Sequence, residues 1–300
     1  MIVSKEVNLG DPFKNFIEIH KFISESLRGL YNLEFESGGF PTSPTAADVF
    51  YKTEIFSLKD SYQELDPVFF RIDYLNTNRY SASSNVFVGG IRLYISKSLE
   101  ELKGSNLGGG EAVGAKNISI NGSTGNSPIK VAISGSNSGF IINVSTSSAT
   151  TVLPIPATIR LGRIRAKSKK TSGAIVSAYS SNENIASYMI KSGDGSIRFG
   201  SGILSSPGTL TRVRRQNGDA FIFPILIYGT GIIEPEFTPL EFLQANVSDW
   251  PPGTERHVLI GDTVYRLGAL AEPIANANRK ANFYGGMETN LVGLSLVEDL

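Results

Sequence analysis

The sequence predicts a mainly β chain of the α+β kind: an N-terminal helix packed on an antiparallel meander, a β-sandwich or barrel-like domain, and a C-terminal hairpin with an extended arm. Three observations carry this. Short runs rich in Ile, Val, Phe and Tyr recur between Gly, Ser, Asn and Pro turns, and the 31 glycines among 300 residues favour turns and weaken helices. One early segment alone places apolar residues at three- and four-residue steps. Hydrophobic residues make up 41% and charged residues 19%, which is enough apolar surface for a core and too little charge for a disordered chain.

The helix is expected from residue 12. Asp11 suits the N-cap, where a carboxylate accepts from free amides, and Pro12 suits the first helical position. Phe16, Ile19, Ile23, Leu27 and Leu30 then form one apolar stripe that a sheet must cover. Strands are expected at 50–58, 67–75 and 86–96. In the second, Phe70, Ile72 and Tyr74 fall on one face and Arg71 and Asp73 on the other. Gly89-Gly90 marks a bulge or tight turn in the third, and the capping-box spacing of Ser98 and Glu101 predicts a short helix after it.

From Gly104 to Gly114 the run has five glycines and almost nothing to bury. The expected division is a small α+β domain at 1–103, a Gly-rich linker or loop at 104–116, a β-rich domain at 117–230 and a C-terminal segment at 231–300. The β-rich part has β-prone runs at 118–120, 129–133, 140–144, 158–165, 174–179 and 209–215, a spacing that suits a sandwich or barrel, with no internal repeat. Residues 221–228 read as a core strand, with Pro224 placing it at an edge or bulge. Thr238 to Leu243 is expected as a short capped helix. The clearest hairpin is Val258 to Tyr265, whose apolar halves join through Gly261-Asp262, a pair that accepts a primed turn. Residues 271–300 lack periodicity and are expected as an arm that orders against a neighbouring subunit.

The charges sum to zero but are laid out in blocks. Residues 1–101 carry 10 Lys/Arg against 14 Asp/Glu, residues 102–230 carry 14 against 4, and residues 231–300 carry 4 against 10. Acidic ends around a basic centre attract copies of the chain or an oppositely patterned neighbour, so the layout points to assembly. The densest basic cluster is Arg160, Arg163, Arg165, Lys167, Lys169 and Lys170. In an extended strand Arg163, Arg165, Lys167 and Lys169 share a face, with Ile164 and Ala166 on the other, and Arg212, Arg214 and Arg215 are candidates to extend the stripe. Its expected role is contact with an acidic protein partner, ahead of a merely solvated face. Nucleic acid is the weaker reading, because no aromatic residue interleaves the cluster between Leu161 and Ala178.

Chemistry finds few footholds. Without cysteine there is no disulfide, thiolate nucleophile or cysteine-ligated metal. Any Ser-His-Asp hydrolase would have to use His20 or His257, and no G-x-S-x-G elbow accompanies them; His20 lies beside the helix stripe, where a packed or surface role is simpler. H-E-x-x-H, EF-hand and P-loop sequences are absent. The run from Gly193 to Arg198 begins like a dinucleotide loop but lacks the third glycine, and Ser127 to Lys130 has an acyl-enzyme spacing in a strand context where that class uses a helix. Glu234 and Glu236 would share a strand face, as a glycosidase pair could, with Glu241 and Asp249 following. Trp250 is the only tryptophan, however, which leaves no aromatic platform for a sugar. The chain is therefore expected to be no enzyme and to hold no cofactor or metal. With no secretory signal and no stretch of about 20 apolar residues, it is expected to be made in the cytoplasm and to have no membrane partner.

The cysteine-free β-rich composition, the amphipathic helix leading into the aromatic runs at 50–56, 68–74 and 86–96, and the Gly261-Asp262 hairpin together resemble structural proteins of tailed-bacteriophage virions, nearest to tail, baseplate or neck components. The resemblance implies a non-enzymatic building block of the virion, synthesised in the host bacterial cytoplasm. Such a block assembles with copies of itself, as in a ring, and with neighbouring virion proteins. The alternative is a β-rich receptor- or carbohydrate-binding module of a phage fibre or spike, with Gly/Ser/Asn loops as its contact surface.

Overall fold

The computed structural model describes residues 1–43, 49–76, 88–104, 113–121, 129–146, 157–166, 172–179, 184–191, 197–202, 222–224, 237–239, 243–245, 255–260, 263–269 and 292–296. Within them the chain is mainly β, with antiparallel sheets and one long N-terminal helix. No helix among the described residues is long and apolar enough to cross a membrane.

Strand β1 (Ile2–Val7) leads into helix α1 (Pro12–Leu30). Asp11 caps the helix by accepting from the amides of Phe13 and Lys14 at 2.9 and 3.3 Å, and the Tyr31 amide closes the last turn on the Leu27 carbonyl at 2.8 Å. All five residues of the apolar stripe are buried. A meander follows, made of β2 (Asn32–Gly38), β3 (Val49–Ser57), β4 (Phe69–Asn76) and β5 (Val88–Ser96), then the short helix α2 (Leu99–Lys103) and β6 (Val113–Asn121). These five strands form one antiparallel sheet in chain order. Phe70, Ile72 and Tyr74 do share its inner face. Ile55 and Tyr94 on the outer face are covered by Leu99 and Leu102 of α2. Arg71 holds α2 in place, donating to the carbonyls of Leu102 and Gly104 at 2.8 and 3.0 Å.

The second sheet is built from β7 (Ile129–Ser136), β8 (Gly139–Thr146), β9 (Ala157–Ala166), β10 (Ser172–Tyr179), β11 (Asn184–Lys191) and β12 (Ile197–Gly202), with β1 added beside β7. Further on lie β13 (Ile222–Pro224), β14 (Phe237–Pro239), β15 (Leu243–Ala245), β16 (Glu255–Ile260), β17 (Thr263–Ala269) and β18 (Val292–Leu296). β14 pairs with β9, β13 with β15, and β16, β17 and β18 form a three-stranded sheet.

One apolar cluster joins α1 to both large sheets. It includes Ile19, Ile23 and Leu27 of the helix, Phe56, Phe70 and Ile91 of the first sheet, and Val131, Phe140, Ile159 and Val176 of the second. Two pairings also span the Gly-rich segment expected to separate domains. β1 pairs with β7 in the register Ile2↔Ser134 to Val7↔Ile129, and β6 pairs with β5.

The expected strands at 50–58, 67–75 and 86–96 are present within two residues at each end, and Ser98 caps α2 through the Glu101 amide. The hairpin is also present, with Ile260 paired to Thr263 across Gly261-Asp262. Three expectations are corrected. Residues 113–116 are strand rather than linker, because β6 completes the ladder that β5 offers. Of the run Thr238 to Leu243 expected as a helix, the described ends are strand, Phe237–Pro239 pairing with β9 and Leu243–Ala245 with β13, so there tertiary pairing overrides the local cap signal; residues 240–242 lie outside the described residues. Residues 292–296, expected within an arm, pair with β17 of the same chain. Residues 209–215 and 271–291 lie outside the described residues.

Candidate functional site

The basic cluster sits on β9, where the alternation of a strand decides what each cation can do. Ile159, Leu161 and Arg163 fall on one face, and all three are buried, Arg163 completely. Arg163 therefore continues an apolar face and does not belong to an outward stripe. Its side chain reaches the 58–68 loop between β3 and β4. Nε donates to Asp60 Oδ2 at 2.6 Å, Nη1 to the Asp66 carbonyl at 2.9 Å and to Asp66 Oδ2 at 3.4 Å, and Nη2 to Gln63 Oε1 at 3.2 Å. Lys97, just past β5, also pairs with Asp66. The backbone adds two ties, from the Arg163 amide to the Ser138 carbonyl at 2.9 Å and from the Lys59 amide to the Asn137 carbonyl at 3.0 Å.

The loop is also held by its own hydrogen bonds. Asp60 Oδ1 accepts from the Tyr62 amide at 2.9 Å, and Gln63 clamps Val68 by accepting from its amide at 3.0 Å and donating to its carbonyl at 3.2 Å. Of the other cluster members, Arg160 is buried on the opposite face of β9, and Arg165 stands opposite Ser172 of β10 and Thr238 of β14 in the ladder. Lys167, Lys169 and Lys170 lie outside the described residues, as do Arg212, Arg214 and Arg215. The structure thus brings Arg163 together with Asp60, Asp66, Gln63 and Lys97, none of which the sequence reading singled out. The signal was available: extending the face of Arg163 back by two and four residues reaches Leu161 and Ile159, which only a core would hold.

A second buried polar group lies between α1 and the first sheet. Glu54, fully buried on β3, accepts from Ser24 Oγ at 2.8 Å and from Arg28 Nε and Nη2 at 2.8 and 2.5 Å, while its other oxygen accepts from the Tyr74 hydroxyl at 3.0 Å. Arg28 and Lys52 also bridge to Glu36 on β2, at 2.8 and 2.5 Å. Hydrogen bonding from Lys52 and then from Arg28 holds the Glu36 carboxyl below its ordinary value. Next to this network His20 is packed against Phe16, Tyr51 and Tyr74, with ring centroids 6.5, 5.8 and 5.3 Å away, and its Nδ1 is hydrogen-bonded to the Tyr51 hydroxyl.

Burial alone pushes the His20 imidazole down to about 3, and its Nε2 is buried with no hydrogen-bond partner among the described residues. The Tyr51 phenol is pushed up by burial, and that of Tyr74 by burial first and then by the Glu54 charge. A neutral imidazole in an aromatic pocket and a carboxylate that takes three groups of donors from its own chain are chemically suited to locking the helix onto the sheet.

Among the remaining expected residues, His257 lies on β16 opposite Arg266, Lys130 on β7 opposite Ser145, and Arg198 on β12 opposite Ile190. Ser127, the Gly193 to Gly195 turn, Glu234, Glu236, Glu241, Asp249 and Trp250 lie outside the described residues. Among the described residues no three His, Asp or Glu side chains are grouped to hold a metal ion. No family model matches the chain, and no curated protein matches it.

Proposed function

We propose that the chain is a non-enzymatic structural component of a phage virion, in the tail, baseplate or neck, which assembles with copies of itself and with neighbouring virion proteins. The observation that carries this reading is where the buried charge goes. Arg163 spans 103 residues of sequence to reach Asp60, and Arg28 spans 26 to reach Glu54. Buried Arg163 and buried Glu54 each tie elements to one another, which is what a block that transmits contacts through its body needs. The resemblance in composition and element order and the alternating charge blocks support the same reading. The finer architecture that we infer is a sandwich of the two large sheets with α1 wedged at one end. Native mass spectrometry and sedimentation velocity over a range of concentration and salt test the proposal. A discrete oligomer is expected, and a monomer under every condition overturns it.

A further inference from the structure

We propose that copies of the chain assemble by exchanging strand β1, which swings out on residues 8–11 and takes the place of β1 against β7 of the next copy. This names the interface for the assembly proposed above and rests on that reading. β1 is the terminal strand of the second sheet and is held by few elements. It pairs with β7 from Ile2↔Ser134 to Val7↔Ile129, the Met1 carbonyl accepts from the Gly135 amide at 2.9 Å, and Lys5 pairs with Glu18 of α1 at 3.2 Å. Its inner face belongs to the core, since Val7 is buried and Val3 packs against the same apolar cluster.

The place that β1 fills cannot stand empty. Without it β7 would turn unpaired donors and acceptors to water, and the core would lie open beside Ile129 and Ile133, which stand opposite Val7 and Val3. The occupant must be a strand with apolar residues four apart and a cation midway between them that meets Glu18. The β1 of a second copy meets these demands by identity, with ladder, core contacts and ion pair unchanged. Exchange of an identical element costs nothing in those contacts, so the hinge decides between the two arrangements.

In the closed form the hinge turns back through Gly10 at φ +70°, and Leu9 beside it is 54% exposed. Among the described residues nothing lies within 4 Å of where a Gly10 Cβ would be, so the tight return of the chain, and no close approach, sets this conformation. The Leu9 amide donates to Asn15 Oδ1 at 2.7 Å, and Asp11 caps α1 in either arrangement. Extended, the four hinge residues span about 13 Å, so exchanging copies must abut with their hinges side by side. Leu9 of each copy then packs against its counterpart and leaves the water, a gain that the closed form lacks. Reciprocal exchange closes a pair, and exchange passed on from copy to copy builds a ring or a filament.

Ser4 stands directly opposite Ala132. Met1 and Gly135 exchange both backbone bonds, so alternation makes Ser4↔Ala132 a non-hydrogen-bonded pair, where side chains come closest and a disulfide fits. The chain has no cysteine of its own to compete. The double variant Ser4→Cys/Ala132→Cys is refolded, oxidised and run on a denaturing gel without reductant, with sedimentation velocity on the same sample. Covalent dimers or longer ladders joined through residues 4 and 132, the linkage read by peptide mass, are expected. Chains that carry only an internal disulfide, or none, overturn the exchange. If such chains still sediment as an oligomer the assembly reading stands, and a monomer under every condition overturns both. As a second readout, Gly10→Val strains the closed hinge, because a β-branched residue disfavours positive φ, and leaves the extended hinge unstrained. It is expected to shift the monomer–oligomer equilibrium about tenfold towards the oligomer after refolding. Unchanged or weaker association in Gly10→Val overturns the exchange.

Discussion

Arg163 shows how a single side chain ties remote parts of this chain together. Its guanidinium is fully buried and meets two carboxylates, Asp60 and Asp66, that are also nearly buried. Replacing it with alanine would take the guanidinium away from Asp60 and leave Asp66 its pair with Lys97, in a site closed to water. Removing one partner of such a buried group destabilises by about 3–5 kcal/mol, so Arg163→Ala is expected to lower the urea midpoint by that equivalent. A loss below about 1 kcal/mol would mean that water reaches the acids once the arginine is gone. For the same reason a charge reversal at Arg163 reports on folding before it reports on assembly. His20 makes a separate prediction. Its folded-state value of about 3 lies below its ordinary 6.5, so the unfolded chain takes up a proton that the folded chain refuses. The sign follows: the residue has no effect above pH 6.5, and stability falls as pH drops below it by about 1.4 kcal/mol per unit. Between pH 6.5 and 5, before carboxylates titrate, unfolding free energies of the native chain and of His20→Leu should diverge with that slope, and parallel curves would show that the ring is accessible to protons.

At the scale of elements, α1 depends on its cap and on its stripe. Asp11→Ala removes two accepted amides and is expected to cost about 1 kcal/mol, whereas Leu27→Ala opens a cavity in the shared core and should cost about 2–5 kcal/mol. A denaturation series on the two variants checks the order. Gly38 ends β2 at φ +74°, and a Cβ there would stand 2.1 Å from the Tyr51 carbonyl oxygen, so Gly38→Ala is expected to be destabilised by strain at the hairpin of β2 and β3. These elements differ in how far the sequence reveals them. α1, β3, β4 and β5 were legible because long apolar stripes and clean alternation are local properties. β1 and β2 were not, because Ile2–Val7 is short and mixes Lys5 and Glu6 with its apolar residues, and β2 is an exposed edge whose alternation of Leu33 and Phe35 with Glu34 and Glu36 is only a few residues long. The buried site was hidden for a different reason. Arg163 and Glu54 look like surface charges until their strand faces are traced to Leu161 and Phe56, and their partners come from other parts of the chain. Residues 238–243 mislead because a local cap signal carries no information about a distant ladder.

For the whole molecule, the decisive question is whether residues 1–121, which hold α1 and every strand of the first sheet, can stand alone. The sequence division places most of them in an independent domain. The packing places the second sheet inside their core. Among the described residues β1 has its only ladder partner in β7, and Phe140 of β8 lies 5.4 Å from Phe70 and 5.9 Å from Tyr31 by ring centroid. Val131, Ile133, Ile142 and Ile159 belong to the same apolar cluster as Ile23 and Leu27, and Asp60 and Asp66 lose Arg163 if the chain is cut. A fragment without these partners exposes a face of the core and leaves two buried acids without that guanidinium, losses of the same size as the whole stability of a small domain. The fragment 1–121 is therefore expected to show secondary structure by far-UV circular dichroism but no cooperative thermal transition and no fixed near-UV signal. The full chain is expected to lose near- and far-UV signals at one temperature, because shared burial couples the sheets. A fragment that melts cooperatively with a native near-UV spectrum would show that the first sheet and α1 need nothing beyond residue 121, and that the second sheet docks on a domain already formed.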